Sequence, residues 1–203
     1  MSYPIYPTEF YYKILDHLPE IPNELLTSEE FYDLLKKPCT LKQFPSKGGF
    51  IRPDGFDHKP SIWSKNIPND LLSWVNKNIR PSTGTELMMY RRIDKEPTKN
   101  FYPPHTDHHR HFTLIYNIVD SGGENIFWQQ KDQPVFRELG LGDIKDYNSL
   151  IELCRFPSPY KKWYLLNNQV IHGVENIIHV RESIQIECKI TDQLVIDYLK
   201  PLV

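Results

Sequence analysis

Apolar residues change their spacing along the chain. In the first eighty or so residues they recur every three or four positions, and after Gly84 they alternate with polar ones. Phe10, Ile14, Leu15 and Leu18 predict a helix over 9–18, stopped by Pro19 and Pro22. Ser28 is placed to cap a second helix over 29–37, with Phe31, Leu34 and Leu35 as its stripe and Pro38 as its breaker. Residues 38–66 are rich in proline and glycine and read as irregular loop. A third helix opens at Asn66 or Asn69 and runs to Ile79, presenting Leu71, Leu72, Val75 and Ile79. Beyond Gly84, strands are predicted at 86–93, 112–119, 124–129, 149–156, 162–166, 169–172 and 180–190. Short strands after helices imply a mainly β, α+β layout in which helices brace a sandwich or small barrel. One domain over 1–203 is expected: a helical and loop support over 1–84, a strand-rich core over 85–191 and a C-terminal extension over 192–203.

The alternation also sorts side chains by face. In the last strand Ile184, Ile186, Cys188 and Ile190 share one side, and Arg181, Ser183, Gln185 and Glu187 the other. That polar side is either solvated or the lining of an internal cavity. Within 102–109, a strand would point His105, Asp107 and His109 the same way and His108 the opposite way. An imidazole and a carboxylate on one face are half of a facial metal site. A lone downstream histidine completes it, and His172, followed by Gly173, is the best placed. Two histidines and one carboxylate with open positions opposite suit non-haem Fe(II). A buried arginine such as Arg181 is a ready anchor for a dicarboxylate, because its fork binds carboxylate bidentately. Taken singly each feature is common: an HxD is frequent by chance, and Arg91-Arg92 reads as a solvated pair. Arg110 is a weaker candidate for the cavity mouth.

Composition narrows the partners. Net charge is −2, with 24 basic and 26 acidic residues, so neither nucleic acid nor an anionic membrane is an expected partner. Three scattered cysteines, Cys39, Cys154 and Cys188, make no disulfide framework. With no secretory leader or long apolar run in view, a reducing, cytoplasmic setting is expected.

Taken in order, His105-Thr106-Asp107, His172 and Arg181-Glu182-Ser183 resemble the HxD…H…RxS signature of the 2-oxoglutarate/Fe(II)-dependent dioxygenases. The prolyl-hydroxylase-like branch is the most similar. Gly122-Gly123-Glu124 resembles a family turn, and residues 163–168 lead into His172 as the penultimate strands do there. The resemblance covers residues 86–190, roughly half the chain.

That resemblance implies a double-stranded β-helix (jelly-roll) core. It implies that His105, Asp107 and His172 hold Fe(II), and that Arg181 pairs with the distal carboxylate of 2-oxoglutarate. Ser183, Tyr90 and Thr113 would assist at the cofactor, and Asn117 stands where relatives carry a tyrosine. The implied activity is hydroxylation of a C–H bond with O2, giving succinate and CO2, with ascorbate stimulatory. The substrate would be a protein or peptide side chain, prolyl among them, or alternatively a small metabolite or free amino acid. A non-catalytic cupin-like binding module and a sheet domain with an incidental histidine cluster stay open as rivals. The loops over 95–104 and 130–147 are candidate substrate lids.

Overall fold

The computed structural model describes residues 11–36, 62–79, 88–93, 102–107, 110–133, 144, 146–189 and 191–200. The strands, in chain order, are β1 (Tyr12–Ile14), β2 (Ile62–Ser64), β3 (Met88–Ile93), β4 (Tyr102–His105), β5 (Phe112–Asn117) and β6 (Glu124–Gln130). They continue with β7 (Leu150–Pro157), β8 (Trp163–Asn167), β9 (Ile171–Glu175) and β10 (Arg181–Cys188). The helices are α1 (Asn23–Leu26), α2 (Glu29–Lys36), α3 (Asn69–Asn78) and α4 (Gln193–Leu199).

Two antiparallel sheets result. One runs β1-β8-β5-β10-β3-β2, the other β4-β9-β6-β7. This corrects the expected double-stranded β-helix (jelly-roll): the sheets are not closed into a barrel, and among the described residues no strand belongs to both. Alternation reports that a strand has two unlike faces; it does not report whether the outermost strands pair across the gap. The architecture is a mixed α and β fold with two sheets.

The larger sheet is buried on both sides. Phe112, Leu114 and Tyr116 of β5, Ile184, Ile186 and Cys188 of β10, and Trp163 and Leu165 of β8 pack under the helices. Phe31 of α2, Leu71 and Val75 of α3, and Leu194 and Val195 of α4 cover them. The intervening residues point between the sheets, where Ile115, Tyr164 and Leu166 meet Phe127 and Phe156. Every residue of β5 is therefore buried, which explains its nearly unbroken apolar run.

The helices form where capping and spacing direct. Ser28 Oγ accepts from the Phe31 N–H at 3.1 Å, and Glu29 and Glu30 lie in the first turn of α2, where a helix favours negative charge. Leu71, Val75 and Ile79 recur at four-residue steps and are fully buried. The helix expected over 9–18 is corrected in its described part. Residues 12–14 are an edge strand paired with β8, Tyr12 opposite Leu166, so sheet pairing overrides a short helical pattern. The irregular loop expected over 38–66 is corrected at Ile62–Ser64, which form β2 paired with β3; its residues 38–61 lie outside the described residues, as do 86–87 of the strand expected from 86, Cys39, His108, His109, Ile190 and most of both lid segments. No helix among the described residues is long and apolar enough to cross a membrane.

Phe31 sets its ring edge-on to Tyr90 at 5.9 Å and is 1 % exposed, so it pins α2 to the sheet. Phe31→Ala is expected to lower unfolding free energy by about 3–5 kcal/mol, read by urea denaturation. A change below about 1 kcal/mol would mean that α2 is not seated there.

Candidate metal and anion site

The site lies in a cleft between the sheets, lined by residues of both. Strands β4 and β9 are antiparallel neighbours, and His105 stands directly opposite His172 in their register. Directly opposed residues share a face, and the two imidazole centroids are 4.4 Å apart. Asp107 lies two residues beyond the end of β4. Its N–H donates to the Asn168 carbonyl at 3.2 Å, which turns the chain so that the carboxylate joins the histidines. His105 Nε2 is 3.7 Å from Asp107 Oδ1, and His172 Nε2 is 4.0 Å from Asp107 Oδ2. One ligand atom from each of the three residues lies within 4.8 Å of the others.

Each donor is prepared for a cation. His172 Nδ1 is 2.9 Å from the Val170 carbonyl, which can only accept, so Nδ1 carries the proton and Nε2 offers its lone pair. Burial lowers the His172 pKa, although Asp107 opposes the drop, so the ring favours the neutral form a metal needs. Burial alone would raise the Asp107 pKa. Arg110, His105, His172 and Arg91 together outweigh it and hold the carboxyl at about 2. Asp107 Oδ2 accepts from Asn168 Nδ2 at 2.5 Å and faces Arg110 Nη2 at 3.0 Å. Those two donors hold Oδ2 on the side toward His172, and Oδ1 faces His105. Two imidazoles and one carboxylate fit a divalent ion that keeps further positions open.

Across the cleft, Arg181 is 4 % exposed. Its Nη1 donates to Ser158 Oγ at 2.5 Å, and Nη2 donates to Asn125 Oδ1 at 3.1 Å and to the Tyr164 hydroxyl at 2.9 Å. All three partners are neutral. Burying a guanidinium without an anion is unfavourable, so this cation is poised for one.

The other candidates fall in different places. Thr113 lines the cleft and accepts from Asn168 Nδ2 at 2.6 Å. Ser183 is 1 % exposed and accepts from Gln185 Nε2 at 3.2 Å; Gln185 lines the cleft and Ser183 does not. Asn117 is buried and donates to the Pro159 carbonyl at 2.7 Å, away from the cleft lining. Tyr90 corrects an expectation. It stands opposite Ile184 in the β3–β10 register, so it shares the helix-covered face with Ile184 and packs against Phe31. Its neighbour Arg91, expected as one of a solvated pair, lines the cleft instead. Arg92 stays outside and pairs with Glu182 at 3.1 Å. His111 is exposed. Arg110 lines the cleft. Asn125, Ser158, Tyr164 and Asn168 were not singled out from the sequence as cleft residues. They come from two strands and two connections, and no local spacing links them.

The fold and the site define a class: two facing antiparallel sheets that enclose a buried two-histidine, one-carboxylate cluster able to hold a metal. No family model matches the chain, and no curated protein matches it in sequence. Among solved structures, the non-heme alpha ketoglutarate dependent carbocyclase SnoK from nogalamycin biosynthesis is similar at 13 % identity and a TM-score of 0.50. That match covers 86 % of this chain and 78 % of SnoK. An oxidoreductase of the 2OG-Fe(II) oxygenase family from Burkholderia pseudomallei matches at 13 % identity and a TM-score of 0.42, covering 66 % of this chain and 70 % of that one. The epimerase SnoN, in complex with Fe3+, alpha ketoglutarate and nogalamycin RO, matches at 8 % identity and 0.41, covering 71 % and 70 %. The SnoK match is a likeness of fold. The other two scores fall below the level that establishes a common fold.

Asn168 holds Asp107, one of the three candidate ligands, by both side chain and backbone. Asn168→Leu is expected to weaken Zn(II) or Mn(II) binding about 10–100-fold, read by titration against a competing chelator. Unchanged affinity would show that the carboxylate needs no help in facing the ion. Tyr90→Phe is expected to leave the affinities for metal and 2-oxoglutarate unchanged, because its ring faces α2; a large loss of either would put Tyr90 in the cleft after all.

Proposed function

We propose that this protein is an Fe(II)- and 2-oxoglutarate-dependent oxygenase that hydroxylates a C–H bond. The observation that carries the proposal is Arg181, a buried cation whose partners among the described residues are all neutral, in the same cleft as a two-histidine, one-carboxylate cluster. A plain metal-binding module has no use for an unneutralised guanidinium beside its ligands. The fold likeness to SnoK and the order of motifs along the chain agree with this assignment.

In this assignment His105 Nε2, Asp107 Oδ1 and His172 Nε2 hold Fe(II). Bound together, Fe(II) and 2-oxoglutarate supply the activation of O2, with succinate and CO2 as co-products. The protein's own share is binding, orientation and exclusion of water. Arg181 takes the distal carboxylate of 2-oxoglutarate through a charge-assisted, two-pronged contact. Ser158, Asn125 and Tyr164 keep the guanidinium aimed, so little side-chain freedom is lost when the anion arrives. Thr113 reaches the cleft from the facing strand and, through Asn168, ties that wall to Asp107. Ile115, Leu166 and Val174 line the same space and limit water. Ser183 is assigned no direct cofactor contact, only the support of Gln185. The specific likeness to prolyl hydroxylases rests on the sequence motifs.

Purified protein given Fe(II), 2-oxoglutarate, ascorbate and O2 is expected to form succinate, even slowly and without a second substrate. Arg181→Ala is expected to weaken 2-oxoglutarate binding by about tenfold or more while metal affinity changes little. His172→Ala is expected to abolish both metal retention and turnover. Neither succinate formation nor 2-oxoglutarate binding in the wild-type protein would overturn the proposal, and equal loss of metal and 2-oxoglutarate in Arg181→Ala would make Arg181 structural.

A further inference from the structure

Gln185 brings a hydrogen-bond acceptor to the cleft that the protein itself does not use. The residue is 2 % exposed and lines the cleft from the inward face of β10. Its Nε2 donates to Ser183 Oγ at 3.2 Å, and its Oε1 accepts from none of the described residues. The Oδ1 atoms of Asn117 and Asn168 are also without a donor, but they are sealed in the packing, out of a ligand's reach. Gln185 Oε1 is not one of those sealed atoms, and its residue borders open space. A buried amide oxygen without a donor is unfavourable, so a donor that arrives with a ligand is stabilising there.

Gln185 and Arg181 share one face of β10 but serve different flanks of the cleft. The Arg181 guanidinium turns toward β6 and β8, where Asn125 and Tyr164 hold it. Gln185 stands between Ile115 of β5 and Met89 of β3. Strand β3 meets β4 across the gap, since the Arg91 guanidinium lies over the Tyr102 ring, 4.2 Å from its centroid. Tyr102 in turn sets its ring 5.1 Å from that of His105. The anion anchor and the amide therefore approach the metal cluster from opposite flanks. Ser183 fits the same scheme. It is 1 % exposed, stands opposite Arg91 and Asn117, and does not line the cleft itself. Its hydroxyl holds the amide by the nitrogen end, which leaves the oxygen end for the cleft.

We propose that Gln185 Oε1 recognises the substrate by accepting a hydrogen bond from one of its N–H or O–H groups, with Ser183 as the positioning residue. This rests on the oxygenase assignment above, because it treats 2-oxoglutarate as the ligand of Arg181. It also specifies that assignment: the molecule oxidised here carries an amide N–H or a hydroxyl close to the reacting carbon. A site built around a buried acceptor discriminates against analogues that lack the donor, because binding them leaves the acceptor unpaired. A pure hydrocarbon group in this flank would be disfavoured for that reason.

The test uses the full chain loaded with Mn(II), a paramagnetic stand-in, and saturating 2-oxoglutarate. The ion broadens the NMR lines of any small molecule held near it. Acetamide has N–H donors, ethylene glycol has O–H donors, and N,N-dimethylacetamide has neither. Each is titrated into wild-type, Gln185→Met, Gln185→Glu, Ser183→Ala and Ser183→Thr proteins. The wild-type complex is expected to broaden acetamide, ethylene glycol or both well beyond N,N-dimethylacetamide, and the stronger of the two tells an amide donor from a hydroxyl. Gln185→Met keeps the length, removes the acceptor and is expected to weaken that binding about tenfold. Gln185→Glu keeps an acceptor and is expected to retain it. Ser183→Ala is expected to weaken it severalfold and Ser183→Thr to restore it, which decides the matter if the methionine variant fails to fold. Equal broadening of all three probes, broadening of none, or probe binding that ignores both Gln185→Met and Ser183→Ala overturns this inference alone. Loss of 2-oxoglutarate binding in Gln185→Met places Gln185 on the cofactor's flank and overturns it as well. Failure of 2-oxoglutarate to bind the wild-type protein overturns the oxygenase assignment, and with it the identification of the probe's position as a substrate site.

Discussion

A guanidinium buried between two sheets, with only neutral partners among the described residues, is the constraint on which the site turns. Arg181 opens β10, and the alternation that follows sets the rest of that strand. Gln185 falls on the cleft side, while Ile184, Ile186 and Cys188 fall under the helices. The neutral groups that hold the guanidinium come from elsewhere in the fold. Asn125 belongs to β6 in the smaller sheet, Tyr164 to β8 in the larger one, and Ser158 to the connection between β7 and β8. Desolvating a charge this far is unfavourable unless an anion compensates it. Hydrogen bonds to an amide, a hydroxyl and a phenol soften the penalty without removing the charge. The charge favours an anionic ligand, and Arg181 lines the same cleft as His105, Asp107 and His172.

The metal cluster has a simpler origin. His105 and His172 are a single cross-strand pair, so one register between β4 and β9 brings both imidazoles together. Asp107 is not on the strand; it reaches the histidines because its N–H is fixed to Asn168 and its Oδ2 is taken by Asn168 and Arg110. Asn168 also donates to Thr113, which ties the carboxylate to the larger sheet. The ligand set thus depends on one strand pairing and one asparagine. Removing either would scatter the donors without changing any ligand's identity.

A lone histidine before glycine and an arginine at the start of an alternating strand can each be read locally. The HxD pair is legible as a pattern, but the strand alternation expected to align Asp107 with His105 is not the cause: β4 ends at His105, and Asp107 is turned in by its bond to Asn168. The two faces of β10 were readable as well, and the cleft settles the choice between a solvated and an internal polar side. Assignments that needed knowledge of pairing were not readable. Tyr90 and Arg91 are adjacent, and only the β3–β10 register, with Tyr90 against Ile184 and Arg91 against Ser183, says which one faces the cleft. Asn125, Tyr164, Ser158 and Asn168 converge from distant positions, so no window of sequence contains their relationship. Residues 12–14 were misassigned because an edge strand needs its partner, β8, to outcompete a weak helical pattern. Closure failed for the same reason: patterning fixes faces, and hydrogen-bonded edges depend on the whole chain.

A crystal structure of the full chain with Mn(II) and 2-oxoglutarate tests the central claim most directly. The expected result has the ion on His105, Asp107 and His172, with the distal carboxylate about 2.7–2.9 Å from the Arg181 guanidinium. An ion bound elsewhere, or 2-oxoglutarate bound with its carboxylates away from Arg181, would contradict the account.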